Sequence, residues 1–90
     1  MYILGQSGAN SLEVIGLDII SDIMQTPEGQ QYQLFRIIGY GYGFNLLLAT
    51  YETEAEARTI LQDIHGKMYQ GEEFYDMQQE EEKLLGKRSG

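Results

Sequence analysis

The sequence predicts a small α+β domain, an antiparallel sheet of four to five strands with one main C-terminal helix packed on one face. Three observations carry this. Up to Tyr51, β-branched and aromatic runs alternate with turns rich in glycine, or built on the single proline. From Thr53 onward, a capping signature precedes apolar residues at helical spacing. A chain of 90 residues, 42% of them hydrophobic, makes one domain with one core.

Met1 to Leu4 is a short apolar opening. Gly5 to Asn10 is a turn signal, because glycine frees φ while Ser7 and Asn10 compete with regular structure. Leu12 to Ile15 resumes a strand-like pattern, and Leu17 to Gln25, with Ile19, Ile20 and Ile23, reads as a further strand. Thr26-Pro27-Glu28-Gly29 then reverses the chain: proline presets φ and glycine tolerates a positive one. Tyr32 to Ile38 and Phe44 to Tyr51 are the next strands. The unbroken Leu46-Leu47-Leu48 run predicts burial on both faces, or a central position.

Thr53-Glu54-Ala55-Glu56 fits a capping box, with Thr53 taking an orphan N–H and Glu56 reaching back. Ala57, Ile60, Leu61, Ile64 and Met68 form one apolar stripe, and Gly71 is a stop signal. A helix from residue 54 to about residue 70 follows, with its stripe expected on Ile37, Leu46 and Leu48. Glu72 to Met77 adds an edge strand or folds back across the helix. The domain is expected over residues 1–77, with 78–90 an acidic helical or fraying tail.

The formal net charge is −8, with acid density rising toward the C-terminus. Such a chain repels phosphate, which disfavours nucleic acid and anionic membranes as direct partners. There is no cysteine, hence no disulfide framework and no thiolate site. No apolar run approaches a membrane span, and the N-terminus lacks the pattern of a signal peptide. A cytoplasmic protein is expected.

No catalytic set assembles. Ser7 lacks a strand-to-helix nucleophile turn, and His65 is the single histidine. Asp18 and Asp22 have no calcium-loop spacing around them. No enzyme, metal or cofactor is expected. The glycine-tyrosine stretch from Gly39 to Gly43 has two readings. It is a turn beside a half-buried surface, or a pocket in which Tyr40, Tyr42 and Phe44 present rings and Arg36 meets a phosphate. It is not a phosphate loop, since no lysine or hydroxyl residue follows the last glycine. Glu80, Glu81 and Glu82 form a solvated helix face or, with Glu72, Glu73 and Asp76, an acidic surface for a basic protein. Tyr69, Phe74, Tyr75 and Met77 form an apolar patch beside that acid, either core or an oligomer interface.

Two stretches carry a resemblance, "MYILGQSGANSLEVIGLDI" and "LLLATYETEAEARTILQDIHGKMYQGEEFYDM". Together, over about residues 1–77, they resemble a group of small uncharacterised proteins from Firmicutes and their phages. Those proteins open with Met, an aromatic and Ile, and carry a Leu-Gly-x-Tyr-x-Thr/Ser-x-Glu-x-Ala signature before a helix. Here Leu4-Gly5-Gln6-Ser7 replaces their usual Arg/Ser-Gln order, and Ala49 stands where glycine is common. The resemblance implies the fold and a phage or mobile-element context, and it transfers no functional residue. The resulting expectation is a non-enzymatic accessory protein that binds and inhibits a host defence factor. The alternative is a sponge that sequesters a nucleotide signal of host immunity; on either reading a homodimer or higher homo-oligomer is expected.

Overall fold

The computed structural model describes residues 1–86. In chain order the elements are β1 (Tyr2–Leu4), β2 (Ser11–Glu13), β3 (Gly16–Gln25), β4 (Gln31–Tyr40), β5 (Asn45–Tyr51), α1 (Glu54–Tyr69), β6 (Phe74–Asp76) and α2 (Met77–Leu85). The class is α+β. The single sheet of the sequence reading is corrected to two three-stranded sheets, and the one helix to two. The larger sheet runs β3-β4-β5 and is antiparallel throughout. The smaller runs β2-β1-β6, with β1 antiparallel to β2 and parallel to β6. A parallel pair requires a long crossover, and here it joins the first strand to the last. Local patterning carries no trace of such a pairing.

The β3–β4 hairpin follows from its turn. The Thr26 carbonyl accepts from Gly29 N–H at 2.9 Å, and Gly29 takes φ 86°. Thr26 N–H then donates to Gln30 O at 2.8 Å. This is a three-residue loop whose glycine supplies the left-handed position. The strands continue in unbroken register from Gln25 opposite Gln31 to Gly16 opposite Tyr40. β5 is shorter and pairs β4 only from Phe35 to Tyr40. Asp22–Gln25 and Gln31–Leu34 therefore form a two-stranded arm beyond the third strand.

The three leucines of β5 do not share one environment. Leu46 is half-buried, Leu47 is exposed and Leu48 is buried. An irregularity opposite Ile37 and Ile38 sends both Leu48 and Ala49 inward. β5 is the terminal strand of its sheet rather than central, so the run of leucines reflects a bulge.

Thr53 caps α1, its hydroxyl accepting from Glu56 N–H at 3.2 Å. The Glu56 carboxylate accepts from the Thr53 hydroxyl at 3.1 Å. At the far end Gly71 takes φ 83° and donates to Met68 O, while Glu72 donates to Lys67 O, closing the last turn. Ala57, Ile60 and Ile64 are buried in one cluster with Ile37 and Leu48, and Leu46, Leu61 and Met68 pack at its margin. The expected helix stripe meets its expected strands. The same cluster takes Ile3 and Leu12 from the smaller sheet and Tyr75 from β6.

Residues 78–85, expected as part of an acidic tail that is helical or frays, are helical and belong to α2. Asp76 caps it, its carboxylate accepting from the N–H groups of Gln78 and Gln79. Met77 and Glu81 are buried against the core, so this segment is part of the domain. The basic end of the chain past Gly86 lies outside the described residues. Among the described residues, no helix is long and apolar enough to cross a membrane.

The glycines of the Gly39–Gly43 stretch have separate physical jobs. A Cβ on Gly39 would lie 2.7 Å from Leu48 Cδ1 and 3.0 Å from Leu12 Cδ2. A Cβ on Gly41 would lie 2.7 Å from Leu12 Cδ1. These two glycines let the larger sheet approach β2 closely. Gly43, with φ 91° and open space around it, makes the turn.

Candidate functional site

The smaller sheet buries one face and exposes the other. Ile3, Leu12 and Tyr75 point inward, while Tyr2 and Phe74 point out. Register places Tyr2 between Glu13 on β2 and Phe74 on β6. Side chains in register on neighbouring strands share a face, so these three form a row. Tyr42 and Phe44, from the turn between β4 and β5, flank the row at its β2 end. With Tyr2, Ser11, Leu12 and Glu13 they line an open recess of about 260 Å³. All four aromatic residues are more than half exposed: Tyr2 52%, Tyr42 79%, Phe44 57% and Phe74 55%. For a chain of this size that is a concentration of solvated rings with no internal packing role.

The electrostatics of this face are acidic. Glu13 stands beside Tyr2 in register, and its interaction with the hydroxyl, by hydrogen bonding and then by charge, raises the tyrosine pKa above its ordinary value. Among the described residues, no basic side chain lines the recess. Glu72 and Glu73 stand exposed just before Phe74. Aromatic faces carry negative π density and carboxylates carry full charge, so the surface suits a cationic group held over a ring.

The residues expected to form a ligand pocket divide between two places. Tyr42 and Phe44 are at the recess. Arg36 and Tyr40 lie on the outward face of the larger sheet, where Tyr40 lies over Gly16. Arg36 Nη1 is 2.6 Å from Asp22 Oδ2, and its Nε is buried without a hydrogen-bond partner. Arg36 and the rings at the recess are therefore not brought together within one chain.

The residues expected to form an acidic partner surface also divide. Glu72, Glu73, Phe74 and Glu82 are exposed. Tyr75 and Glu81 are buried, at 1% and 2% exposure. The Glu81 carboxylate accepts from Gln6 Nε2 at 2.8 Å and from the Tyr51 hydroxyl. Burial, and then the hydrogen bond to Glu81, push the Tyr51 pKa far above its ordinary value. The Tyr75 hydroxyl donates to Asp63 at 2.7 Å, and burial followed by that bond raises its pKa likewise. Glu80 is engaged by Lys67 at 3.1 Å and Lys83 at 3.6 Å. Glu80 to Glu82 thus belong to three environments rather than one acidic face. Helix geometry explains the split, since residues four apart share a face: Met77, Glu81 and Leu85 turn toward the core. An acid midway between two apolar residues at that spacing was the available signal.

Gln6 was missed by sequence reasoning altogether. Its N–H donates to Leu48 O, and its carboxamide both accepts from Thr50 N–H and donates to Thr50 O. It thus satisfies the outer edge of β5 as a neighbouring strand would. Ser7 accepts from Ala9 N–H in a local turn, and His65 is exposed on α1. Asp18 caps the N–H of Ile19. Among the described residues, no group of three or more His, Cys, Asp or Glu side chains is placed to hold a metal. No protein-family model, no curated protein and no solved structure matches the chain.

Proposed function

We propose that the protein is a non-enzymatic binding module whose aromatic, acidic face on the smaller sheet docks a basic surface of a partner protein. The observation that carries the reading is the row Glu13–Tyr2–Phe74, flanked by Tyr42 and Phe44. Rigid rings give contact area at low entropic cost, and aromatic anchors dominate many interfaces. The acid beside them selects a lysine- or arginine-bearing surface and speeds encounter with it. The phage context implied by the resemblance makes that partner a host defence factor in the bacterial cytoplasm, which the module would inhibit by occupation. The nucleotide sponge is the weaker reading: Tyr42 and Phe44 are at the recess, but Tyr40 and the phosphate contact Arg36 are on another face, where Arg36 is already paired to Asp22.

The test is affinity capture from host lysate with the wild type, Tyr42→Ala/Phe44→Ala and Glu13→Gln. The proposal expects one host protein bound to the wild type, lost with the double variant and weakened with Glu13→Gln. Its binding should weaken as salt is raised. Capture that is indifferent to all three substitutions, or a nucleotide recovered in place of a protein, sinks the proposal.

A further inference from the structure

The two edges of the larger sheet are treated differently. At the β5 edge, Gln6 meets Leu48 and both backbone groups of Thr50. At the β3 edge, among the described residues, the corresponding contact is local and single: the Asp18 carboxylate takes the N–H of its neighbour Ile19. The hydrogen-bonded pair of Thr26 with Gln30 sets the alternation of the hairpin. Even-numbered residues of β3 then bond to β4, while Leu17, Ile19, Ser21 and Ile23 turn their N–H and C=O groups outward. The Ile19 N–H is capped by the Asp18 carboxylate at 2.9 Å, in agreement with that assignment. The strand is ten residues long, pairs β4 without a bulge and holds neither proline nor lysine; of its two charges, Asp22 is neutralised by Arg36 and Asp18 is turned to the Ile19 N–H. Proteins ordinarily blunt such an edge with one of those devices.

From this edge we infer that β3 pairs antiparallel with β3 of a second copy, about a two-fold axis at Ser21, making one six-stranded sheet. Self-complementarity selects the occupant and the register. Outward-facing residues must oppose one another, which leaves few choices. An axis at Ile20 sets Asp18 directly against the partner's Asp22, and an axis at Asp22 sets that residue against its own copy. Like charges directly opposite are unfavourable. An axis at Ile19 avoids this but leaves the distal part of β3 unpaired. With the axis at Ser21, Asp18 faces the partner's Met24, and Ile20 faces the partner's Asp22. Ile19, already packed at the core margin, faces the partner's Ile23.

That register also accounts for the arm. Ile23 is 71% exposed although it lies on the core-facing side of its strand. It is on the two-stranded part of the hairpin, where neither β5 nor α1 reaches it. In the dimer each arm lies beside the three-stranded part of the other copy, and Ile23 gains the cover it lacks alone. A two-stranded hairpin is marginal by itself, and a third strand is what stabilises one.

The register is directly readable, because the chain has no cysteine. At the axis, Ser21 would stand about 5.5 Å from its own copy, Cα to Cα, within the span of a disulfide. Under mild oxidation Ser21→Cys should link into a covalent dimer, and Ile19→Cys should not. Sedimentation of the unmodified protein should give twice the 10.3 kDa chain mass at micromolar concentration. Ile23→Lys should give a monomer with an unchanged far-ultraviolet spectrum, since that side chain is exposed in the single chain. A wild type that stays monomeric throughout overturns the inference. So does a dimer that persists in Ile23→Lys, or one in which Ile19→Cys links in place of Ser21→Cys.

Discussion

The two ends of the β3–β4 hairpin are the same ladder in opposite circumstances. At one end Gly39 and Gly41 let the larger sheet come close to Leu12, and β5 and α1 close over Ile37. At the other, beyond Phe35, two strands run on with no third strand beside them among the described residues. Both ends are rich in large apolar residues. What differs is whether another element reaches them, and glycine at the packed end is what allows that approach. Hydrophobic content alone does not make core, and the arm holds Ile23 and Tyr32 exposed.

The widest separation between the ends should come from one substitution made twice. Ile60→Ala, in the fully buried stripe of α1, should cost about 2–5 kcal/mol in urea unfolding. Ile23→Ala, measured on dilute monomer, should stay within about 0.5 kcal/mol. Comparable losses at both sites would break the distinction between packed end and arm.

Next in size is alkaline titration of the packed end. Tyr51 and Tyr75 have folded-state pKa values raised above the ordinary value of 10.0, chiefly by burial. A raised value means that the stabilising contribution is fully present below the unfolded pKa. It is lost as pH climbs above about 10, where the unfolded chain releases protons that the folded chain retains. The unfolding free energy should then fall by about 1.4 kcal/mol per pH unit for each tyrosine. Urea midpoints from pH 8 to 11 would measure the slope, and Tyr75→Phe should reduce it by one tyrosine's share. A flat profile would mean that these hydroxyls are not held as described.

Smaller still is the effect of filling the close approach. Gly39→Ala should destabilise by about 1–3 kcal/mol, because the added Cβ meets Leu48 and Leu12 in a packed interior. Gly43→Ala also carries a penalty, for its positive φ, but without any clash. A neutral Gly39→Ala would show that the two sheets can slide apart without loss. Least disruptive to the fold are Tyr42→Ala and Phe44→Ala at the exposed recess. They should leave stability within about 0.5 kcal/mol while abolishing partner capture, which separates a binding role from a structural one.

Much of this architecture was legible. The Thr26–Gly29 turn, the Thr53 cap, the Gly71 stop and the α1 stripe each rest on residues within one turn of one another, so local sequence specifies them. The site was legible in fragments only. Tyr42 and Phe44 were read as a turn surface or a pocket, and Phe74 as part of a patch that was either core or an interface. Tyr2, which joins them, was read merely as part of an apolar opening. Glu81 was read together with Glu80 and Glu82, although its place midway between Met77 and Leu85 marked the inward face; the groups it bonds there, Tyr51 and Gln6, lie 30 and 75 residues away and no local pattern names them.

By itself, the sequence determined the class, the long hairpin, the main helix and its buried face, all of which follow from periodicities and turn chemistry a few residues long. Only the tertiary structure decided that β1 and β6 join in parallel and that there are two sheets rather than one. It alone decided that one sheet edge is sealed by a glutamine while the other stays open. The physical reason is that every residue but proline carries the same backbone N–H and C=O groups. Which strand satisfies which is therefore settled by long-range packing, and not by the side chains of the strand itself.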